Sequence, residues 1–90
     1  MTEHDLKVWP EYYDAIEADL KPFEIRKNDR DYQVGDVLRL REYSPGPDEY
    51  TGRETRRRVV YMLNGDSPTA YAFGLRTGFV AMALSRHPAR

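Results

Sequence analysis

The sequence predicts a small, mostly β (α+β) domain: a curled sheet of about five strands with one N-terminal helix. Period-two alternation of apolar and polar residues recurs in short segments, while only one early segment spaces its apolar residues by three and four. Pro and Gly punctuate the chain between these segments. Ninety residues allow a single domain with a single core, and a 40% hydrophobic content with 7 Tyr, 3 Phe and 1 Trp supplies material for it.

Leu6 to Trp9 reads as a first strand, ended by Pro10. Pro10 then opens a helix over about residues 10–20, because its fixed φ and missing N–H are harmless at a first helical position. Glu11 and Asp14 suit the helix N-terminus, and Tyr13, Ile16 and Leu20 form its apolar stripe. Pro22 forbids continuation. Phe23 to Lys27 alternates apolar and charged, so Glu24 and Arg26 share one face of a second strand. Turns around Asn28 to Asp31 and at Gly35-Asp36 lead to a third strand, Val37–Tyr43. Ser44 to Asp48 is a loop closed by Gly52. Arg53–Leu63 is a long strand with Val59, Tyr61 and Leu63 turned inward. A loop from Asn64 to Gly78 precedes the last strand, Phe79–Leu84, so the domain spans residues 1–84 and a flexible tail spans 85–90. Curling into a barrel would hide the edges of so small a sheet, with an α+β sandwich as the alternative.

The absence of cysteine removes disulfides, thiolate nucleophiles and Cys-based metal sites. Two histidines, His4 on the first strand and His87 in the tail, are too few for a histidine metal centre, and His4 is expected to be exposed. No metal or cofactor is expected. With neither a signal-like start nor an apolar run of membrane-spanning length, a soluble, cytoplasmic domain is the expectation. Net charge is −1, but residues 1–24 carry seven acids and two bases, whereas residues 25–90 carry twelve bases and eight acids. Were those halves to face apart, the later one would attract anions.

Lys21, Glu24, Arg26, Asn28 and Arg30 make the densest polar cluster, on one strand and the turns flanking it. A cation, a carboxylate, a guanidinium and an amide on one face can hold a phosphate or a nucleobase. Lys7 and Trp9 on the first strand join this set, Trp9 as a stacking ring. Arg53, Arg56, Arg57 and Arg58 form a second group, in which Arg56 and Arg58 share a face. Arg53, Arg56 and Arg58 are the candidates for contacting a nucleic-acid backbone. The other reading is a charged strand that discourages edge pairing. Eight rings, among them Tyr12, Tyr43, Tyr50 and Phe73, exceed what so small a core requires, so some should be exposed.

Lys21-x-x-Glu24-x-Arg26, followed by Asn28-Asp29-Arg30-Asp31 and Val34-Gly35-Asp36, resembles the ASCH domains of the PUA-like superfamily, and within them the bacterial and phage DUF3850 family. The likeness extends through Leu6-Lys7, Pro10-Glu11-Tyr12-Tyr13, Glu42-Tyr43, Tyr50-Thr51-Gly52-Arg53 and Gly78-Phe79-Val80. Asp19 stands where relatives usually have Gly, and Pro22 where they usually have Thr. The resemblance implies a compact β-barrel with a cleft lined by Lys21, Glu24 and Arg26, in a superfamily associated with RNA and modified nucleosides. Some ASCH relatives are amidohydrolases of acetylated cytidine and others ribonucleases. Lys21 matches the amidohydrolase lysine, but Glu24 occupies the place of its Thr nucleophile.

The expected role is therefore binding of RNA or a nucleotide-like small molecule through Lys7, Trp9, Lys21, Glu24, Arg26, Asn28 and Arg30. Two alternatives accompany it: a small hydrolase of a modified nucleoside or RNA with Lys21 and Glu24 as reacting pair, and a phage-type protein-interaction module. The sequence leaves the oligomeric state open.

Overall fold

The computed structural model describes residues 2–86. Its elements are β1 (Glu3–Val8), α1 (Pro10–Glu17), β2 (Phe23–Lys27), β3 (Val37–Ser44), β4 (Glu49–Asn64), α2 (Pro68–Ala72) and β5 (Phe79–Leu84). They form one mixed sheet in the order β1-β3-β4-β5-β2. β1 runs parallel to β3, so α1 and β2 lie on the crossover between them, and every other pairing is antiparallel. β4 serves two partners: its first half pairs with β3 and its second with β5.

Inward residues of the strands build the core. Leu6 and Val8 on β1, Leu38 and Leu40 on β3, Val59 on β4, and Val80, Met82 and Leu84 on β5 pack with Tyr13 and Ile16 of α1 and with Tyr32. Each such aliphatic chain contributes about 1.5–3 kcal/mol on removal from water. Pro10 begins α1 as expected, but the helix stops at Glu17 and leaves Leu20 exposed. Asp19 takes a left-handed backbone (φ +59°) just past the helix end, which an Asp tolerates better than most residues.

The sheet does not close into a barrel. β1 and β2 are its two edges, and the gap between them is bridged by side chains. Arg26 Nη2 donates to the Lys7 carbonyl at 2.7 Å, and Arg30 Nη1 donates to the Asp5 carbonyl. Guanidinium groups thus meet edge carbonyls that a closed barrel would pair with backbone N–H groups.

β2 has its polarity reversed. Its alternation is present, but the charged set is the one turned inward: Glu24 is buried while Phe23 and Ile25 are exposed. On β4 the expected inward line of Val59, Tyr61 and Leu63 breaks after Val59. The register against β5 shifts between Val59 and Tyr61, a bulge that exchanges the faces. Tyr61 and Leu63 therefore point outward, and Met62 packs on the core. With Phe23, Ile25 and the outward side of β5, they give this end of the sheet an apolar outer surface.

Charge does not segregate either. Acids of the first 24 residues fold back onto later arginines: Glu3 on Arg56 (2.6 Å), Asp5 on Arg39 (3.3 Å), Asp14 on Arg53 (2.7 Å) and Asp19 on Arg57 (3.4 Å). The asymmetry along the sequence is largely cancelled in space. His4 is buried rather than exposed, its Nε2 lying 2.8 Å from Asp36 Oδ2 and its ring 4.7 Å from that of Tyr32. The expected tail begins with Ser85 and Arg86, which are tied to the body: Ser85 N donates to the Arg58 carbonyl and Arg57 Nη1 to the Arg86 carbonyl. His87 and the rest of that tail lie outside the described residues. Among the described residues no helix is long and apolar enough to cross a membrane.

Candidate nucleotide cavity

A cavity of about 690 Å³ opens along the gap between the two sheet edges. β1 and the start of α1 supply Lys7, Val8, Trp9 and Tyr12 to one wall. Lys21 and β2 supply the other, through Phe23, Glu24, Ile25, Arg26 and Lys27, and Phe79 of β5 completes the lining. The place follows from the fold, because a sheet that fails to close leaves a cleft where the missing pairing would run.

Glu24 organises the charge. It is 4% exposed, and both of its oxygens are engaged: Lys21 Nζ donates to Oε1 at 2.7 Å and Arg26 Nε to Oε2 at 2.9 Å. Lys21 is further fixed by donating to the Phe23 carbonyl and by lying 5.0 Å from the Phe23 ring and 5.5 Å from that of Tyr12. Arg26 spans from Glu24 to the Lys7 carbonyl and so belongs both to the cavity and to the bridge across the gap. Four cations, Lys7, Lys21, Arg26 and Lys27, thus line the cavity against one carboxylate. The excess positive charge suits an anionic guest.

Trp9, Tyr12 and Phe23 are each partly exposed at the cavity, so aromatic faces are available beside the cations. The backbone adds polar groups. Leu84 N bonds to the Pro22 carbonyl and Asn28 N to that of Gly78, and by strand alternation the N–H and C=O of Ile25 then point to the unpaired edge. The lining holds no serine, threonine, cysteine or histidine, and Tyr12 carries its one hydroxyl. The nucleophile-type groups of the lining are therefore the Lys21 amine, 2.7 Å from the Glu24 carboxylate, and the Tyr12 hydroxyl. Among the described residues no group of three or more His, Asp or Glu could hold a metal ion.

The candidate residues divide clearly. Lys7, Trp9, Lys21, Glu24 and Arg26 converge on the cavity. Asn28 and Arg30 do not line it: Arg30 ties β2's following turn to β1, and Asn28 Oδ1 is buried without a hydrogen-bond partner among the described residues. Val8, Tyr12, Phe23, Ile25, Lys27 and Phe79 also line the cavity and were not picked out as site residues from sequence. The signal for Phe23 was its place beside Lys21 and Glu24, obscured because an apolar residue on a half-buried strand reads as core.

The arginine-rich strand lies elsewhere. Arg53 donates to both oxygens of buried Glu42, at 2.9 and 2.7 Å, and to Asp14. These bonds, with one from Thr51, hold the Glu42 carboxyl below its usual range. Arg56 pairs with Glu3 and Glu54, and Arg58 Nη1 donates to the Gly35 carbonyl. Arg57 is buried on the opposite face and holds the end of α1. Arg56 and Arg58 do share a side, but carboxylates already face Arg53 and Arg56.

The chain is thus a gapped, mostly β domain with a cationic, ring-lined cleft. The profile of the family described as "Domain of unknown function (DUF3850)" matches residues 3–84, and the chain belongs to that family. It is also similar to the "Uncharacterized 12.9 kDa protein in GpA 3'region" of Escherichia phage P2, with 38% identity over 57 residues. That match takes in 63% of this chain and about half the length of the phage protein.

Proposed function

We propose that the cavity recognises a nucleotide-like ligand, a planar base carrying phosphate, presented free or within RNA. One observation carries the reading: four aromatic side chains and four cations share one cleft with a single carboxylate, each of whose oxygens is bonded to a cation. A base stacks on the rings for about 1–3 kcal/mol, and phosphate oxygens meet Lys7, Lys21, Lys27 or Arg26. The resemblance to ASCH domains of the PUA-like superfamily points the same way.

The role is recognition rather than turnover. Both Glu24 oxygens accept from cations, which gives the side chain a positioning role between Lys21 and Arg26. Trp9 is the only tryptophan of the chain, so its fluorescence reports the cavity directly. Titration with nucleoside monophosphates, nucleosides and short RNAs is expected to change that signal, and phosphorylated ligands should bind more tightly than nucleosides. No spectral change and no rise in Tm at millimolar concentrations of every one of these would overturn the proposal.

A further inference from the structure

Two cations on the outer face of the sheet differ from Arg39 and Arg56 beside them. Arg39 is held by both oxygens of Glu54 and by Asp5, and Arg56 by Glu3 and Glu54. Lys7 and Arg41 instead rest on tyrosine rings. Arg41 Cζ lies 3.8 Å from the Tyr50 ring centre, and Lys7 Nζ lies 4.4 Å from that of Tyr43. The two rings meet edge to face, 5.5 Å apart. Among the described residues no carboxylate lies within ion-pair distance of Lys7 or Arg41. Glu54 is the register partner of Arg41 across β4, but both its oxygens are on Arg39.

A ring holds a cation in place without cancelling its charge, whereas a carboxylate does both. Lys7 and Arg41 are also register partners on adjacent parallel strands, which brings their backbones within about 4.8 Å. They therefore form a pre-positioned pair with no carboxylate bonded to either, and Lys7 also lines the cavity. We propose that Lys7 and Arg41, seated on Tyr43 and Tyr50, form a second phosphate site, which takes the phosphodiester next to a base held in the cavity. The preferred ligand is then a single nucleic-acid strand rather than a lone nucleotide. This rests on the nucleotide reading of the cavity, and the backbone path runs over Lys7 and Arg41 instead of Arg53, Arg56 and Arg58.

The test compares wild type with Arg41→Gln and Arg41→Lys, using a nucleoside monophosphate, a tetranucleotide RNA and inorganic tripolyphosphate as probes. Arg41→Gln should leave monophosphate affinity within about two-fold, weaken the tetranucleotide by about five- to ten-fold, and lower the salt slope of its binding by about 0.7. Arg41→Lys keeps the charge and should restore the slope while recovering part of the affinity. Equal losses for monophosphate and tetranucleotide, or no loss for either, would overturn the second site, thermal melts having shown both variants folded. Tripolyphosphate separates the two readings. If no nucleotide binds, but tripolyphosphate shifts the amide resonances of residues 7, 41, 43 and 50 only while Arg41 is present, the cavity reading fails and the phosphate site stands. If nucleotides bind and tripolyphosphate leaves those resonances unmoved, the phosphate site fails and the cavity reading stands.

Discussion

Replacing Glu24 with Gln tests whether this side chain anchors the cavity. The wild-type carboxylate accepts two charge-assisted hydrogen bonds, from Lys21 and Arg26, with its side chain 5% exposed and theirs 20% and 28% exposed. An amide has the same shape but only one accepting end, so one cation would face an NH₂ group. Taking one partner from a buried pair costs about 3–5 kcal/mol. Because Lys21 and Arg26 can turn toward water, about 2 kcal/mol is the better figure here. For a domain of this size that corresponds to a fall in Tm of about 10 °C. Thermal unfolding of Glu24→Gln with and without a nucleoside monophosphate is the assay. The variant should melt lower alone and gain more from the anion than wild type does, since bound phosphate replaces the missing counter-charge. A variant melting within about 2 °C of wild type would refute the anchoring role. Unchanged melting combined with abolished hydrolysis of a nucleoside substrate would make Glu24 a reacting base instead.

Gly65→Ala should destabilise the domain by about 3 kcal/mol in urea unfolding, because overpacking against backbone cannot be relieved by a rotamer change. The added Cβ would stand 1.9 Å from the Arg76 carbonyl oxygen. An unchanged midpoint would contradict this. Trp9→Ala should reduce nucleotide affinity by about ten-fold through loss of stacking, followed by calorimetry, while Tm stays nearly constant because the ring is half exposed. Unfolding should also become easier in acid. Burial alone would raise the Asp36 carboxyl, but hydrogen bonds from His4, Thr2 N and Gln33 N outweigh it and hold the group below its usual value, as Arg53 and Thr51 do for Glu42. Both folded-state values lie below the unfolded ones, so this stability is complete above the ordinary carboxylate range and is lost as pH falls through the lowered values. Asp36→Asn should flatten the acid limb of urea midpoint against pH, and an unaltered limb would remove Asp36 from the explanation.

Local chemistry made several features legible in the sequence. Pro10 announced the helix start, the alternation in Phe23–Lys27 put Glu24 and Arg26 on one face, and Lys21 joined them by proximity. What stayed hidden depends on distant partners. Arg53 and Arg56 read as open cations because their carboxylates, Asp14 and Glu3, lie 39 and 53 residues away. The bulge at Val60 carries no composition signal, yet it turns Tyr61 and Leu63 outward. The inverted strand β2 was ambiguous for the same reason: alternation reveals that two faces differ, and the rest of the sheet decides which one is inside. Nor could the alternation show that the sheet would remain open, since closure depends on how β1 and β2 meet across the whole fold.

The side-chain bridge between β1 and β2 makes the domain's seam and its cavity share a component. A guest that engages Arg26 acts on the same guanidinium that holds the Lys7 carbonyl, so loading and breathing of the cleft are one equilibrium observed from two sides. Amide exchange along residues 3–8 and 23–27 would then register occupancy without any label on the guest.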